Sequence, residues 1–373
     1  MNLTRREALA LTAAATLGRA ATTPTAKTVA VAKCVTYNSN EVASNLKTMF
    51  DQLGGLPKLV RNKTVTIKLN LTGSPRQPFR NMPVGETHYT HPEVVAATAH
   101  LMGEAGAKRI RFVESAYALS GPLEPYLAEA GWDVRHIANA APNVEFQNTN
   151  NLGMYKQYVR FQVPGPAYLF PAYDLNQAYH DTDVFVSMAK LKNHAICGVT
   201  LSLKNCFGNT PASIYGGDAG IDAPNEKPTG VRAAAMHNGR RGPSRSSPQE
   251  LDPSSPRDPG YRMPRIVAEL TLARPVDLAI IDGVTSIAGG EGPWIGGVHA
   301  VKPGVLIAGL NPVNTDTVAT AIMGYDPRGL RGSAGFPKCD NTLLLAEQIG
   351  VGGADLSRIE VAGVPIAKAT YRY

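Results

Sequence analysis

A chain of 373 residues, 43% hydrophobic and 18% charged, has room for one large domain or two ordinary ones and is too apolar to be disordered. Four scattered cysteines, Cys34, Cys197, Cys206 and Cys339, lack any C-x-x-C spacing, which argues against a zinc ribbon or an iron–sulfur cluster. The net charge of +7 comes without an RNP-like, zinc-finger or helix-turn-helix pattern, so it points to an anionic small molecule, or to nothing specific, rather than to nucleic acid.

The elements begin after an unusual start. Arg5 and Arg6 precede a mildly apolar run from Ala8 to Leu17, followed by small residues and a Pro-Thr segment. The pattern is that of a twin-arginine export signal over residues 1–26, which implies the twin-arginine machinery as a partner and a periplasmic or otherwise exported location. An amphipathic first helix is the alternative. The run is too short to span a bilayer, so no stable membrane insertion is expected.

Residues 27–373 then read as one α/β domain or as two subdomains. K-T-V-A-V-A-K is a strand, and apolar residues at helical spacing from Asn40 to Leu53 form a helix stopped by Gly54-Gly55. Strand 64–71 follows, then a helix from His91 to Ala105 with Thr90 as its N-cap and Pro92 in its first turn. Next come strand 109–115, a helix from Pro122 to Ala130 and W-D-V-R-H-I as a strand. The alternation predicts a mostly parallel sheet with helices on both faces.

The continuous apolar run at 182–188 reads as a buried strand, and Val199 to Phe207 as a helix ending at Gly208. Residues 209–262 are rich in Gly, Pro, Ser, Asn and Arg without periodicity; a connection that long is a lid over a site or an insertion. Regular structure resumes with helix 263–274, strands 276–283 and 304–309, helices 315–324 and 342–350, and a last strand at 358–363.

In open parallel sheets ligands bind beyond the carboxyl ends of the strands. Five segments place polar residues there: Lys68 and Asn70; Glu114 and Ser115; Lys190, Lys192, Asn193 and His194; Asp282; and Asn311, Asn314 and Asp316. Each has a plainer reading. Lys68 reaches the sheet rim, Asp282-Gly283 ends a strand, and Asp316 caps a helix. His88 and His91, near a helix start, are ordinary loop histidines or metal ligands.

The segment K-L-K-N-H, with Lys204 and Asn205 ten residues on, is harder to dismiss. Lysines at this edge build a positive concave surface for carboxylate or phosphate. A desolvated lysine beside other cations also gains base or nucleophile character. His194 can move protons near neutral pH or bind a metal.

No P-loop, H-E-x-x-H, G-x-S-x-G or strand-following G-x-G-x-x-G is present. The run A-G-G-E-G-P-W-I-G-G at 288–297 reads as a loop that closes over a ligand with Trp294.

The segment M-A-K-L-K-N-H-A-I-C-G-V-T-L-S-L-K-N-C-F-G at 188–208 resembles the core of the DUF362 family, of the type P-K-L-K-T-H…G-V-T-L-A-L-K-N-L-x-G. I-K-L-N at 67–70, T-H-P-E-V-V at 90–95, the D-G at 282–283 and N-P-V-N-T-D-T-V-A at 311–319 resemble further pieces, so the likeness covers roughly residues 28 to 365. The family's proline is Ala189 here and its threonine is Asn193. Some members carry ferredoxin-like segments; these four cysteines lack that spacing, so no redox role is implied.

Two functional readings follow. In the first, an exported enzyme acts on a small anionic or polyhydroxylated substrate. Lys190, Lys192, His194, Lys204 and Asp282 do the chemistry, Lys68, Asn70, Asn205, Glu114 and Asp316 hold the substrate, and a divalent metal held by His88, His91, His194 or the carboxylates is a variant. In the second, the same pocket binds a small molecule or cofactor without turnover. A structural reading, with the lysines paired in salt bridges around a rigid core, stands beside both.

Overall fold

The computed structural model describes residues 28–373, and the export pattern of residues 1–26 lies outside them. Among the described residues no helix is long and apolar enough to cross a membrane.

One eight-stranded sheet organises the chain. Its strands are β1 (Thr28–Lys33), β2 (Thr64–Lys68), β3 (Arg109–Glu114), β4 (Val144–Asn148), β7 (Val184–Lys190), β10 (Leu278–Gly283), β13 (Val305–Gly309) and β14 (Glu360–Gly363), in the spatial order β14-β1-β13-β10-β7-β2-β3-β4. Hairpin β5–β6 (Tyr158–Gln162, Ala172–Asn176), the two-residue pair β8–β9 (Asn193–His194, Gly198–Val199) and β11–β12 (Ser286–Ala288, His299–Val301) stand apart. Only β13 opposes its neighbours, so the other seven strands end on one edge.

The centre of the sheet is β7 and β10, buried along their whole length, as a strand covered on both faces must be. Alternation divides β7. Phe185 and Ala189 join the apolar layer built with helices α6 (Pro259–Ala273), α7 (Pro312–Ile322) and α8 (Thr342–Gln348). Val184, Val186 and Met188 join the opposite layer with α1 (Ser39–Gln52), α2 (Pro92–Glu104) and α3 (Leu123–Glu129). Helices thus cover both faces, and the fold is α/β with a mostly parallel sheet.

Local chemistry corrects two expectations. W-D-V-R-H-I is not a strand: the Asp133 carboxylate accepts the His136 N–H at 3.0 Å and caps a short helix, α4 (Val134–Ala138). The strand comes later, at β4, and pairs in parallel with β3. Helix α2 is capped by His91, whose Nδ1 accepts from the Glu93 N–H at 3.1 Å, and not by Thr90.

Asp316, on α7, is wholly buried and caps the short helix α5 (Leu201–Asn205) from outside. It accepts from the Ser202 N–H and hydroxyl and from the Leu203 N–H at 2.5–2.9 Å. These bonds hold Leu201 at a φ of +45°, a conformation that costs an L-residue about 1–2 kcal/mol. Burial pushes the Asp316 carboxyl up to about 7 against the pull of those donors. An unfolded aspartate titrates near pH ~3.9. The native state therefore keeps a proton that the unfolded chain releases, and this contribution to stability declines as pH rises from about 4 to 7. The stability difference between wild type and Asp316→Asn should change by up to about 1.4 kcal/mol per pH unit in that window and level off above it. Urea midpoints across the range check this; a pH-independent difference would refute the assignment.

Candidate functional site

A cavity of about 520 Å3 opens at the carboxyl edge of the sheet, within the size range of small-molecule sites. The ends of β2 and β3 supply Lys68, Asn70 and Glu114, and β8 and α5 supply His194, Lys204 and Asn205. Phe207, Arg232 and His237 form another wall, and Glu291 and Trp294 come from the 289–297 loop.

The wall from β2 and β3 is a saturated network. Lys68, only 1% exposed, ion-pairs with Glu114 at 2.6 Å and donates to the Leu69 carbonyl and to Asn205 Oδ1. Glu114 also accepts the Leu71 N–H at 2.9 Å. The Asn205 amide donates to the Lys68 carbonyl and Ser187 hydroxyl, and its Oδ1 accepts from Asn70. Gly208 seals the pair: a Cβ there would lie 2.6 Å from Lys68 Nζ and 2.7 Å from Glu114 Oε1. Asn70 Oδ1 alone in this group is a buried acceptor without a partner among the described residues.

The facing wall is different. Lys204 Nζ lies 4.5 Å from the Phe207 ring centroid and makes no hydrogen bond or ion pair among the described residues. Burial, with Arg232 and Lys68 adding to it, lowers its pKa against the counter-pull of Cys197 and Glu291. Arg232 donates to the carbonyls of Thr210 at 2.7 Å and Ser115 at 3.2 Å but has no carboxylate partner among the described residues. A guanidinium has five N–H donors, so several stay free.

His194 Nδ1 accepts the Ile196 N–H at 3.2 Å, which leaves the ring proton on Nε2. Burial, reinforced by Lys204, His237 and Lys192, holds this ring neutral although Glu291 lies 3.8 Å from Nδ1. Burial likewise lowers His237 to about 3, and its Nε2 has no partner among the described residues. Burial would raise Glu291, but the Ala195 N–H at 2.9 Å and Lys204 act against it and hold its carboxyl below the usual range. Trp294 sits at the rim against Gly73, a residue with φ +78° where any Cβ would strike the indole.

Several expected site residues lie away from this cavity. Lys190 and Asp282 pair across β7 and β10 on the opposite face of the sheet, 2.9 Å apart and fully buried. Lys192 donates to the His88 carbonyl at 2.6 Å and to the Thr72 hydroxyl and Glu291 carbonyl at 3.2 Å, so it ties three loops together behind the wall. Asp316 is occupied as the α5 cap. His88 Nδ1 contacts the Thr87 hydroxyl, and His91 Nδ1 is used as the α2 cap. Among the described residues no three His, Cys, Asp or Glu side chains gather as a metal-ligand set. All four cysteines are free buried thiols.

Arg232, His237 and Glu291 were not foreseen. The first two lie in the aperiodic 209–262 stretch, which carries no positional signal. Glu291 was visible as the one charged residue in its glycine-rich run.

A curated relative, a thylakoid-associated protein of Synechocystis sp., is 27% identical over 306 residues, covering 81% of this chain and 76% of that protein. A solved structure of a Thermotoga maritima protein overlaps with a TM-score of 0.36 at 11% identity, over 71% of this chain and 55% of that one, too loosely to bear on function. The model of DUF362, a domain of unknown function, matches residues 65–321, and the chain belongs to that family.

Proposed function

We propose that the protein is an exported enzyme that acts on a small anionic or polyhydroxylated substrate in the 520 Å3 cavity. One observation carries the reading: Lys204 and Arg232 both line the cavity, and neither has a carboxylate partner among the described residues. A buried lysine and a half-buried arginine without a paired carboxylate are costly unless a ligand supplies the partner. His194, with its proton on Nε2, is the group to donate a hydrogen bond to an oxygen that gains charge during reaction. Arg5 and Arg6 support export.

The test is to express the chain with its own first 26 residues, purify the exported fraction natively and incubate it with a mixture of small metabolites followed by mass spectrometry. Consumption of an anionic metabolite that requires Lys204 is the expected result. Retention of an anion without product would sink turnover and leave a carrier. Recovery from the cytoplasm alone would sink export, and neither binding nor consumption would sink the cavity reading.

A further inference from the structure

Four lysines sit in or beside the K-L-K-N-H core and the strand before it, and three have their acceptors. Lys68 has Glu114, Asn205 and the Leu69 carbonyl. Lys190 has Asp282, the Tyr37 hydroxyl and the Gly85 carbonyl. Lys192 has two carbonyls and a hydroxyl. Each is built to hold an ammonium group, which needs acceptors for three N–H bonds. Lys204 is 9% exposed and has none, only the face of Phe207 and the open cavity. Without acceptors, and buried, Lys204 gives up its proton to leave the neutral amine more readily than a paired lysine does, although Glu291 and the Phe207 face act the other way.

From this contrast we infer that Lys204 is a nucleophile that captures the carbonyl group of a small oxo acid as an imine. The inference rests on the anion-binding reading above and names its substrate class. The carboxylate of the oxo acid faces Arg232, and its carbonyl carbon faces Lys204 Nζ. The Nζ lone pair forms the C–N bond as the C=O π bond opens onto oxygen. The His194 Nε2–H donates to that oxygen while it carries charge. Two protons then pass from nitrogen to oxygen through water, and the oxygen leaves as water. Amine plus carbonyl gives imine plus water, with no oxidant or reductant. Burial lowers the pKa of Lys204 as it does those of Lys68, Lys190 and, further, Lys192, so the contrast is carried by the missing acceptors and the open cavity.

The experiment treats the folded full chain at neutral pH with pyruvate or glyoxylate and sodium cyanoborohydride, whose hydride reduces an iminium to a stable secondary amine. Peptide mapping then locates the label. Lys204 should be labelled on the order of tenfold faster or more than any surface lysine, because burial favours its neutral, nucleophilic form. Inorganic phosphate should protect it, and Lys204→Arg should abolish that site. Label spread evenly over surface lysines, with pyruvate still displacing phosphate from the cavity, would overturn the imine and leave the anion site. Failure of both anions to bind would overturn the two together. Wild-type labelling is decisive even where the Lys204→Arg variant folds poorly.

Discussion

Asp282→Asn is expected to destabilise the protein by about 3–5 kcal/mol, the range for breaking a buried ion pair from one side. The Asp282 carboxylate is fully buried and saturated. It accepts from Lys190 Nζ at 2.9 Å, the Tyr37 hydroxyl at 2.9 Å, the His91 N–H at 3.0 Å and the Val284 N–H at 3.2 Å. An amide in its place keeps one acceptor and turns an N–H2 towards donors. It also leaves the Lys190 ammonium with only the Tyr37 hydroxyl and Gly85 carbonyl. The pair clamps β7 and β10 to the Tyr37 segment and to the start of α2, so the loss is felt across one whole layer. Replacing both partners, as Lys190→Met with Asp282→Leu, should recover only the part due to the stranded ammonium, because the Tyr37 hydroxyl and the His91 and Val284 N–H groups still lose their acceptor. Urea denaturation of the single and double variants measures this. An Asp282→Asn midpoint equal to wild type would show that the pair is not held in a dry interior.

Strand parity explains how much of the site could be read in advance. The sheet was legible because β2, β3, β7 and β10 are apolar runs with helices between them, and the carboxyl edge follows from that order. What a side chain does at the edge depends on one residue of register. Lys68 shares a face with Thr66 and turns to the cavity, whereas Lys190 shares a face with Met188 and turns to the opposite layer. Both look alike in a linear motif. The cavity's third wall was not legible at all. Arg232 and His237 come from a stretch held by backbone bonds such as Gly217 N–H to the Val231 carbonyl, and by Asp218 accepting from Thr229 and Gly230, which leave no periodic trace. The short strand W-D-V-R-H-I failed for a related reason. A single aspartate cap decided a segment too short for periodicity to outweigh it.

Lys204→Met is expected to do two opposite things at once. It should weaken binding of a small anion such as phosphate by about 10- to 100-fold, the loss of a charge-assisted hydrogen bond worth about 1.5–3 kcal/mol. It should also make the ligand-free protein more stable, by about 1 kcal/mol, because it removes a largely enclosed ammonium that has no hydrogen bond or ion pair among the described residues. The lost contact with the Phe207 face subtracts from that gain, but methionine packs well against an aromatic ring. Thermal unfolding with and without phosphate reads both effects. Wild type should start lower and rise with phosphate, and the variant should start higher and stay there. The same substitution at Lys68 would break the ion pair with Glu114 and can only destabilise. A lysine whose removal strengthens the fold while emptying the cavity is held in place by its ligand, and one whose removal weakens both is part of the frame. If Lys204→Met proves as damaging to the ligand-free protein as a broken ion pair, Lys204 belongs with Lys68 and Lys190, and the anion site must be sought at Arg232 alone.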